Sequence, residues 1–118
     1  MVEVIATDEF AGWFMDLSQL DAKSVARVVG LLEVKGPTLG YPYSSAIRGS
    51  SHPLRELRVQ SGARPLRVFY AFDVKRQAVL LLGGDKTGDD RFYKKNVPRA
   101  EAIWEAYIEE IGDQDKER

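Results

Sequence analysis

The residues with the most chemical potential are cations set inside β-prone sequence. Arg55 and Arg58 fall in Leu-Arg-Glu-Leu-Arg-Val (54–59), and Arg67 interrupts Leu-Arg-Val-Phe-Tyr-Ala-Phe (66–72), which is otherwise apolar or aromatic. Side chains alternate along a strand, so Arg67 shares a face with Phe69 and Ala71, Arg58 with Glu56 and Leu54, and Arg55 with Leu57 and Val59. Arginine is seldom fully buried without a partner. Either one face of this sheet is a polar, concave site, or these guanidinium groups reach past a thin core on their aliphatic stems. The net charge of −1 hides a segregation along the chain. Residues 48–95 hold eleven Lys and Arg against five Asp and Glu, whereas residues 1–47 hold three against six and residues 96–118 three against seven. A polyanion would therefore meet a locally basic surface on a chain whose pI is about 5.8.

Acid–base chemistry has one default candidate by residue type. His52, the only histidine, lies with Arg48 in a loop just ahead of the first arginine-bearing strand. A lone loop histidine is as a rule a solvated bystander, yet its titration near neutral pH makes it the natural general acid or base wherever a site surrounds it. The segment 83–96, Gly-Gly-Asp-Lys-Thr-Gly-Asp-Asp-Arg-Phe-Tyr-Lys-Lys-Asn, suggests two further chemistries and supports neither. Gly84-Asp85-Lys86-Thr87 lacks the spacing of a Walker phosphate loop, and no βαβ unit surrounds it. Asp85, Asp89 and Asp90 are hard-cation ligands by type, but interleaved with Lys86 and Arg91 they read more economically as ion pairs or caps of a helical turn over 89–95. The absence of cysteine removes disulfides and thiolate metal sites and fits a reducing compartment.

These side chains need a frame. Residues 54–84 read as three antiparallel strands, 54–59, 66–72 and 78–82, the first two joined by the longish loop Gln60-Ser61-Gly62-Ala63-Arg64-Pro65. The third is nearly continuous in apolar character and is expected at the centre of the sheet. Residues 2–6 are β-prone and add a strand at an edge or beside the second hairpin strand. Thr7 and Asp8 are competent N-caps, and Phe10, Trp13, Phe14 and Leu17 recur at helical spacing, which predicts a helix over 8–18. Asp21 is expected to cap a second helix over 22–35, with Val25, Val28, Val29 and Leu32 inward and Gly36-Pro37 as its stop. So short a link makes the two an antiparallel hairpin. Three prolines and three glycines make 36–53 a loop. Asn96 and Pro98 start a last helix striped by Ala100, Ile103, Trp104, Tyr107, Ile108 and Ile111, ended by Gly112 before a frayed tail over 113–118. The order β-α-α-β-β-β-α names an α+β domain over 1–118: a small, mainly antiparallel sheet with an N-terminal helical hairpin and a C-terminal helix. No apolar run approaches membrane-spanning length and Met1-Val2-Glu3 leads straight into foldable sequence, so a cytoplasmic protein without membrane contact is expected.

The order of elements, the stretch Leu54-Arg55-Glu56-Leu57-Arg58, then Arg67-Val68-Phe69-Tyr70-Ala71-Phe72, the apolar strand entering Gly83-Gly84-Asp85-Lys86-Thr87, and Tyr93-Lys94-Lys95 before the last helix carry a family likeness. Over residues 2–111 the chain resembles the RelE/HigB-type toxins of bacterial type II toxin–antitoxin modules, the phage-related branch of the RelE/ParE superfamily. The resemblance implies a RelE-like fold and a ribosome-dependent endoribonuclease that cuts messenger RNA. It implies attack of a ribose 2′-OH on the adjacent phosphorus without metal or cofactor, and restraint by a cognate antitoxin, expected to be a helix-turn-helix protein. The superfamily also implies an alternative: a gyrase-directed toxin of the ParE type, or a catalytically weak relative that only binds its antitoxin. Carried over by position, Arg67 matches the arginine of the family's central strand and would hold the scissile phosphate in its planar donor fork. Arg58 matches a basic position on the preceding strand, Lys86 the basic residue after the last core strand, and Tyr93 the aromatic that stacks on a base or assists proton transfer. His52 and Glu56 both stand as candidates for the general base. Arg48, Arg55, Arg91, Lys94 and Lys95 complete the set as candidate substrate-binding cations.

Overall fold

Alternation along the strands creates two apolar faces, and the chain covers each with different helices. The computed structural model describes residues 1–116, with side-chain surroundings as far as residue 112. Its elements are β1 (Val4–Ala6), α1 (Asp8–Met15), α2 (Gln19–Lys35), a 3-10 turn (Gly36–Thr38), β2 (Ser44–Ala46), β3 (Arg55–Ser61), β4 (Arg64–Phe72), β5 (Ala78–Asp85) and α3 (Phe92–Lys116). The sheet order is β1-β5-β4-β3-β2, antiparallel except where β1 runs parallel to β5 at the edge. Leu57, Val59, Leu66, Val68, Tyr70 and Leu80 pack under Phe10 of α1 and Val25, Val28 and Leu32 of α2. Phe69, Ala71, Val79, Leu81 and Leu82 pack on the opposite face with Phe92, Ala100 and Trp104 of α3. Each fully buried Val, Leu or Phe among them contributes roughly 1.5–3 kcal/mol, so these two layers hold the sheet.

The helical hairpin, the three-strand meander and the C-terminal helix stand where the pattern puts them; several boundaries move. Thr7 caps α1, accepting a hydrogen bond from the Phe10 N–H. That helix stops at Met15 rather than 18, because Ser18 leaves the helical backbone to cap α2, its Oγ accepting from the Asp21 N–H. Asp21 is thus not the cap but a first-turn residue, buried and turned towards the sheet. The hairpin loop shrinks to Gly62 and Ala63, with Gln60 opposite Pro65 and Gly62 at a positive φ of 58°. Pro65 costs no ladder bond: its carbonyl accepts from the Lys86 N–H, so its nitrogen faces the β5 side beyond the last residue pair, Leu66 with Asp85.

The centre of the sheet is β4, not β5, and β5 runs on through Gly83 and Gly84 to Asp85. Those glycines sit in a strand because an aromatic ring presses on each side: a Cβ on Gly83 would lie 2.2 Å from Trp13 of α1, and one on Gly84 2.8 Å from Phe92 of α3. A register shift opposite Phe69 and Tyr70 gives β5 one extra residue, which lets Leu81 and Leu82 both join the α3 face. The segment 36–53 is not all loop; Ser44–Ala46 pairs with β3 as an edge strand. The last helix begins at Phe92, four residues before Asn96, and takes in residues 92–95 of the expected turn and Pro98 in one rod. It passes Gly112 and runs to Lys116, so Gly112 is not its stop, and residues 117–118 of the expected tail lie outside the described residues.

Candidate active site

The pairing of β3 with β4 sets Arg58 opposite Arg67 and Glu56 opposite Phe69, all on the α3 face. The first turn of α3 lays the Tyr93 ring flat over Phe69, centroids 6.0 Å apart and planes within 9°. Beyond Tyr93 the helix leaves the outer strands uncovered. A cleft of about 610 Å³ opens there, with Ser45, Glu56 and Arg58 on its floor and Tyr41, Arg48 and Tyr93 around it.

Glu56 is the hub. It is 5% exposed, and its Oε1 accepts a 2.6 Å hydrogen bond from the Tyr93 hydroxyl while lying 3.5 Å from Nε of Arg67. Its Oε2 accepts from Ser45 Oγ at 3.2 Å and faces Arg58 Nη1 at 3.9 Å. Two arginines opposite each other on neighbouring strands repel, and the carboxylate between them offsets that repulsion. Arg67 is only 6% exposed; its Nη1 donates to its neighbour Leu66's carbonyl at 3.0 Å. Its Nε is near enough to Glu56 for charge attraction but makes no hydrogen bond, leaving a buried cationic donor unmatched beside the cleft. Burial above all, and then the hydrogen bond to Glu56 and its charge, push the Tyr93 phenol above its ordinary value of 10.0. It stays protonated at neutral pH and points that proton at the carboxylate. Lys86 Nζ lies 5.1 Å over the Tyr93 ring, and the Arg58 guanidinium 5.3 Å over that of Tyr41.

Of the residues singled out by sequence, Arg58, Arg67, Glu56, Tyr93 and Lys86 converge, with Arg48 lining the same cleft. The others lie elsewhere. Arg55 alternates to the opposite face, where Nε donates to Ser44 Oγ at 3.2 Å and to the Tyr70 hydroxyl at 3.4 Å. His52 is turned to α3, its Nε2 2.9 Å from Glu105, so Glu56 is the base candidate that the fold brings to the cations. Lys95 pairs with Asp89 at 2.6 Å, and Arg91 and Lys94 are exposed without lining the cleft. Asp85 accepts from the Thr87 hydroxyl at 2.6 Å and from its N–H at 2.9 Å, with Arg64 nearby, as ion pairing and capping require. Among the described residues no group of three or more His, Asp or Glu is placed to hold a metal ion. Sequence reading missed Ser45 and Tyr41. Ser45 had no signal, since its role depends on an edge strand inside a Gly/Pro-rich segment, whereas Tyr41-Pro42-Tyr43 is an aromatic cluster that such a loop has no core reason to carry.

Residues 12–105, most of the chain including every cleft residue, match the family described as phage derived protein Gp49-like. This chain belongs to the Gp49-like family. Among relatives of this Gp49-like protein, Mycobacterium tuberculosis "Putative toxin HigB3" is 41% identical over 107 residues, covering 89% of this chain and 92% of the relative. "Putative toxin HigB2" of the same organism is 30% identical over 109 residues, covering 90% of this chain and 54% of that longer relative. The fold of the Gp49-like chain is RelE-like. A chain of the crystal structure of the archaeal RelE-RelB complex from Pyrococcus horikoshii OT3 superposes with a TM-score of 0.55 at 16% identity, over 74% of this chain and 97% of that one. At that identity the likeness concerns the fold, and the sequence relation is to the HigB proteins.

Proposed function

We propose that this Gp49-like protein is the toxin of a type II toxin–antitoxin pair and cleaves ribosome-bound messenger RNA with its own side chains, without metal. The names of its HigB relatives and its RelE-like fold support the toxin role. The observation that carries the chemistry is the buried Glu56 carboxylate held between Tyr93 and two arginines, one of which keeps an unmatched Nε–H. In this reaction Glu56 takes the proton of a ribose 2′-OH, and the oxygen attacks the adjacent phosphorus. Negative charge grows on the phosphoryl oxygens, where Arg67 and Arg58 meet it with donors held in place by the sheet. The P–O5′ bond breaks and the leaving oxygen takes the Tyr93 proton. Glu56 then returns its proton to Tyr93 along their 2.6 Å hydrogen bond, which restores both groups and leaves a 2′,3′-cyclic phosphate and a 5′-hydroxyl. Lys86 adds positive charge on the Tyr93 side of the cleft. A helix-turn-helix antitoxin is the proposed cognate partner.

The test is cleavage of a messenger fragment on programmed ribosomes, with the ends of the products mapped, beside a gyrase supercoiling assay. Cyclic phosphate ends from the wild type, and their loss in Glu56→Gln, are expected. Intact messenger together with inhibited supercoiling would replace this reading by a ParE-type one.

A further inference from the structure

The Tyr41 ring is 77% exposed, yet it is not loosely placed. It belongs to the turn before β2, where the Gly40 carbonyl accepts from the N–H groups of Tyr43 and Ser44 at 3.0 Å, and the Tyr43 carbonyl accepts from the Arg58 N–H at 2.8 Å. The turn is thereby tied to β3, and the Arg58 guanidinium lies 5.3 Å from the ring centroid. Together Tyr41 and Arg58 border two hollows. One is the 610 Å³ cleft with Glu56 and Tyr93; the other, of about 200 Å³, is lined by Gln60 and Arg67 as well. An exposed aromatic ring held in place beside a cation, between two hollows that each carry charged side chains, has no packing role in either core cluster.

We propose that Tyr41 is a nucleobase-stacking subsite for single-stranded RNA, and that the Tyr41 and Arg58 pair is a partition holding apart the two nucleotides that flank the scissile phosphate. The proposal rests on the ribonuclease reading above. Its chemistry is sequence-tolerant, because every base has a π-face to lay on an aromatic ring or a guanidinium plane. Its geometric consequence matters more. Stacked, helical RNA keeps the 2′-oxygen out of line with the P–O5′ bond, and in-line attack needs the two flanking bases unstacked and their backbone turned. A ring between two hollows enforces that separation, while Arg58, common to both hollows, and Arg67 hold the phosphate at the junction. Gln60 puts a side-chain amide in the second hollow, able to donate to and accept from a base edge.

The probe is a messenger carrying 2-aminopurine at each decoding-site position in turn, with every 2′-OH of that codon removed to block cleavage, bound to programmed ribosomes. Fluorescence is read on adding wild type, Tyr41→Phe or Tyr41→Ala, and single-turnover cleavage of the all-ribose messenger is measured in parallel. Stacking predicts quenching at one position by wild type and Tyr41→Phe alike, and loss of that quench with a fall in apparent affinity of about tenfold or more in Tyr41→Ala. Cleavage should fall in Tyr41→Ala and survive in Tyr41→Phe. Wild type that cuts messenger without quenching any position, or Tyr41→Ala that quenches and cuts like wild type, overturns the subsite and leaves the ribonuclease reading standing. Equal loss in Phe and Ala overturns stacking in favour of a hydroxyl contact. Wild type that neither quenches nor cuts removes both.

Discussion

A guanidinium buried in a β-sheet is costly unless something repays its dehydration, and in Arg67 the repayment by Glu56 is incomplete. In the proposed reaction, a transition state gathering charge on phosphoryl oxygens would complete it. Arg67→Ala should therefore cost on the order of 3–4 kcal/mol of transition-state stabilisation, by analogy with a lost oxyanion donor, seen as a hundredfold or larger fall in single-turnover cleavage. Cleavage at the wild-type rate would remove Arg67 from the mechanism. Glu56 and Tyr93 can be tested without any substrate. Burial is the first cause of the raised Tyr93 value, and Glu56 supplies the next two through its hydrogen bond and charge. Ultraviolet titration should show one tyrosine ionising later in wild type than in Glu56→Gln, where loss of the negative neighbour moves that phenol back down towards 10.0. An unchanged titration would mean that the two groups are not coupled, and the proposed proton return would lose its basis.

Among the elements, β5 and the β3–β4 hairpin carry the greatest local demands. Gly83→Ala puts a methyl 2.2 Å from the Trp13 ring, and backbone on one side and a packed helix on the other leave little room to yield. Overpacking of this kind costs roughly 1–3 kcal/mol, to be read as a lower urea midpoint with unchanged slope. The hairpin is fastened to α2 by Asp21, which accepts 2.6 Å from Ser61 Oγ and pairs with Arg64; Arg64 also reaches Asp85 at 3.4 Å. The Ser61 hydrogen bond first, and then Arg64, hold the Asp21 carboxyl below its ordinary value of 3.8 against the opposing effect of burial. A folded-state value below the unfolded one means that this contribution is complete above about pH 5 and is lost as pH falls through the folded value. Asp85 and Asp89 are lowered too, chiefly by the hydrogen bonds from Thr87 and Lys95, and add to the same acid loss. Asp21→Asn should be less stable than wild type at pH 6, in urea midpoints, and the gap should narrow as pH falls below the ordinary carboxylate value of 3.8. A gap that stays the same size across the whole acid range in which the protein remains folded would assign the defect to packing rather than charge.

For the whole molecule, the consequence of the segregated charge is that the basic side chains around the cleft belong to the +6 stretch 48–95, flanked in sequence by acidic ends. An antitoxin that inhibits by occupying the cleft should protect the backbone around Arg58, Arg67 and Lys86 from hydrogen exchange. Its binding should weaken with salt, because exposed charge pairs are screened within about 10 Å at 0.1 M. Protection confined to residues 8–35, with 54–95 unchanged, would instead identify a partner that sits on the helical hairpin and blocks ribosome entry by its bulk.

Periodicity and turn chemistry determined the order of elements apart from the edge strand β2 and the 3-10 turn, the helical hairpin, the meander and the cations inside it, because these follow from the local twofold and 3.6-residue repeats. The side on which Arg55 points, away from Arg58 and Arg67, also follows from alternation alone. Tertiary structure decided the rest. Ser45 reaches Glu56 only because an edge strand pairs across eleven residues of sequence, Tyr93 reaches it because α3 starts four residues early, and His52 is drawn off to Glu105 by that same helix. Gly83 and Gly84 looked like a loop and are a strand, since what fixes them is the approach of Trp13 and Phe92 from opposite faces. The choice between His52 and Glu56 as the group beside the arginines thus belonged to contacts 37 and 53 residues apart in sequence, and a local repeat holds no information about which distant surfaces will meet.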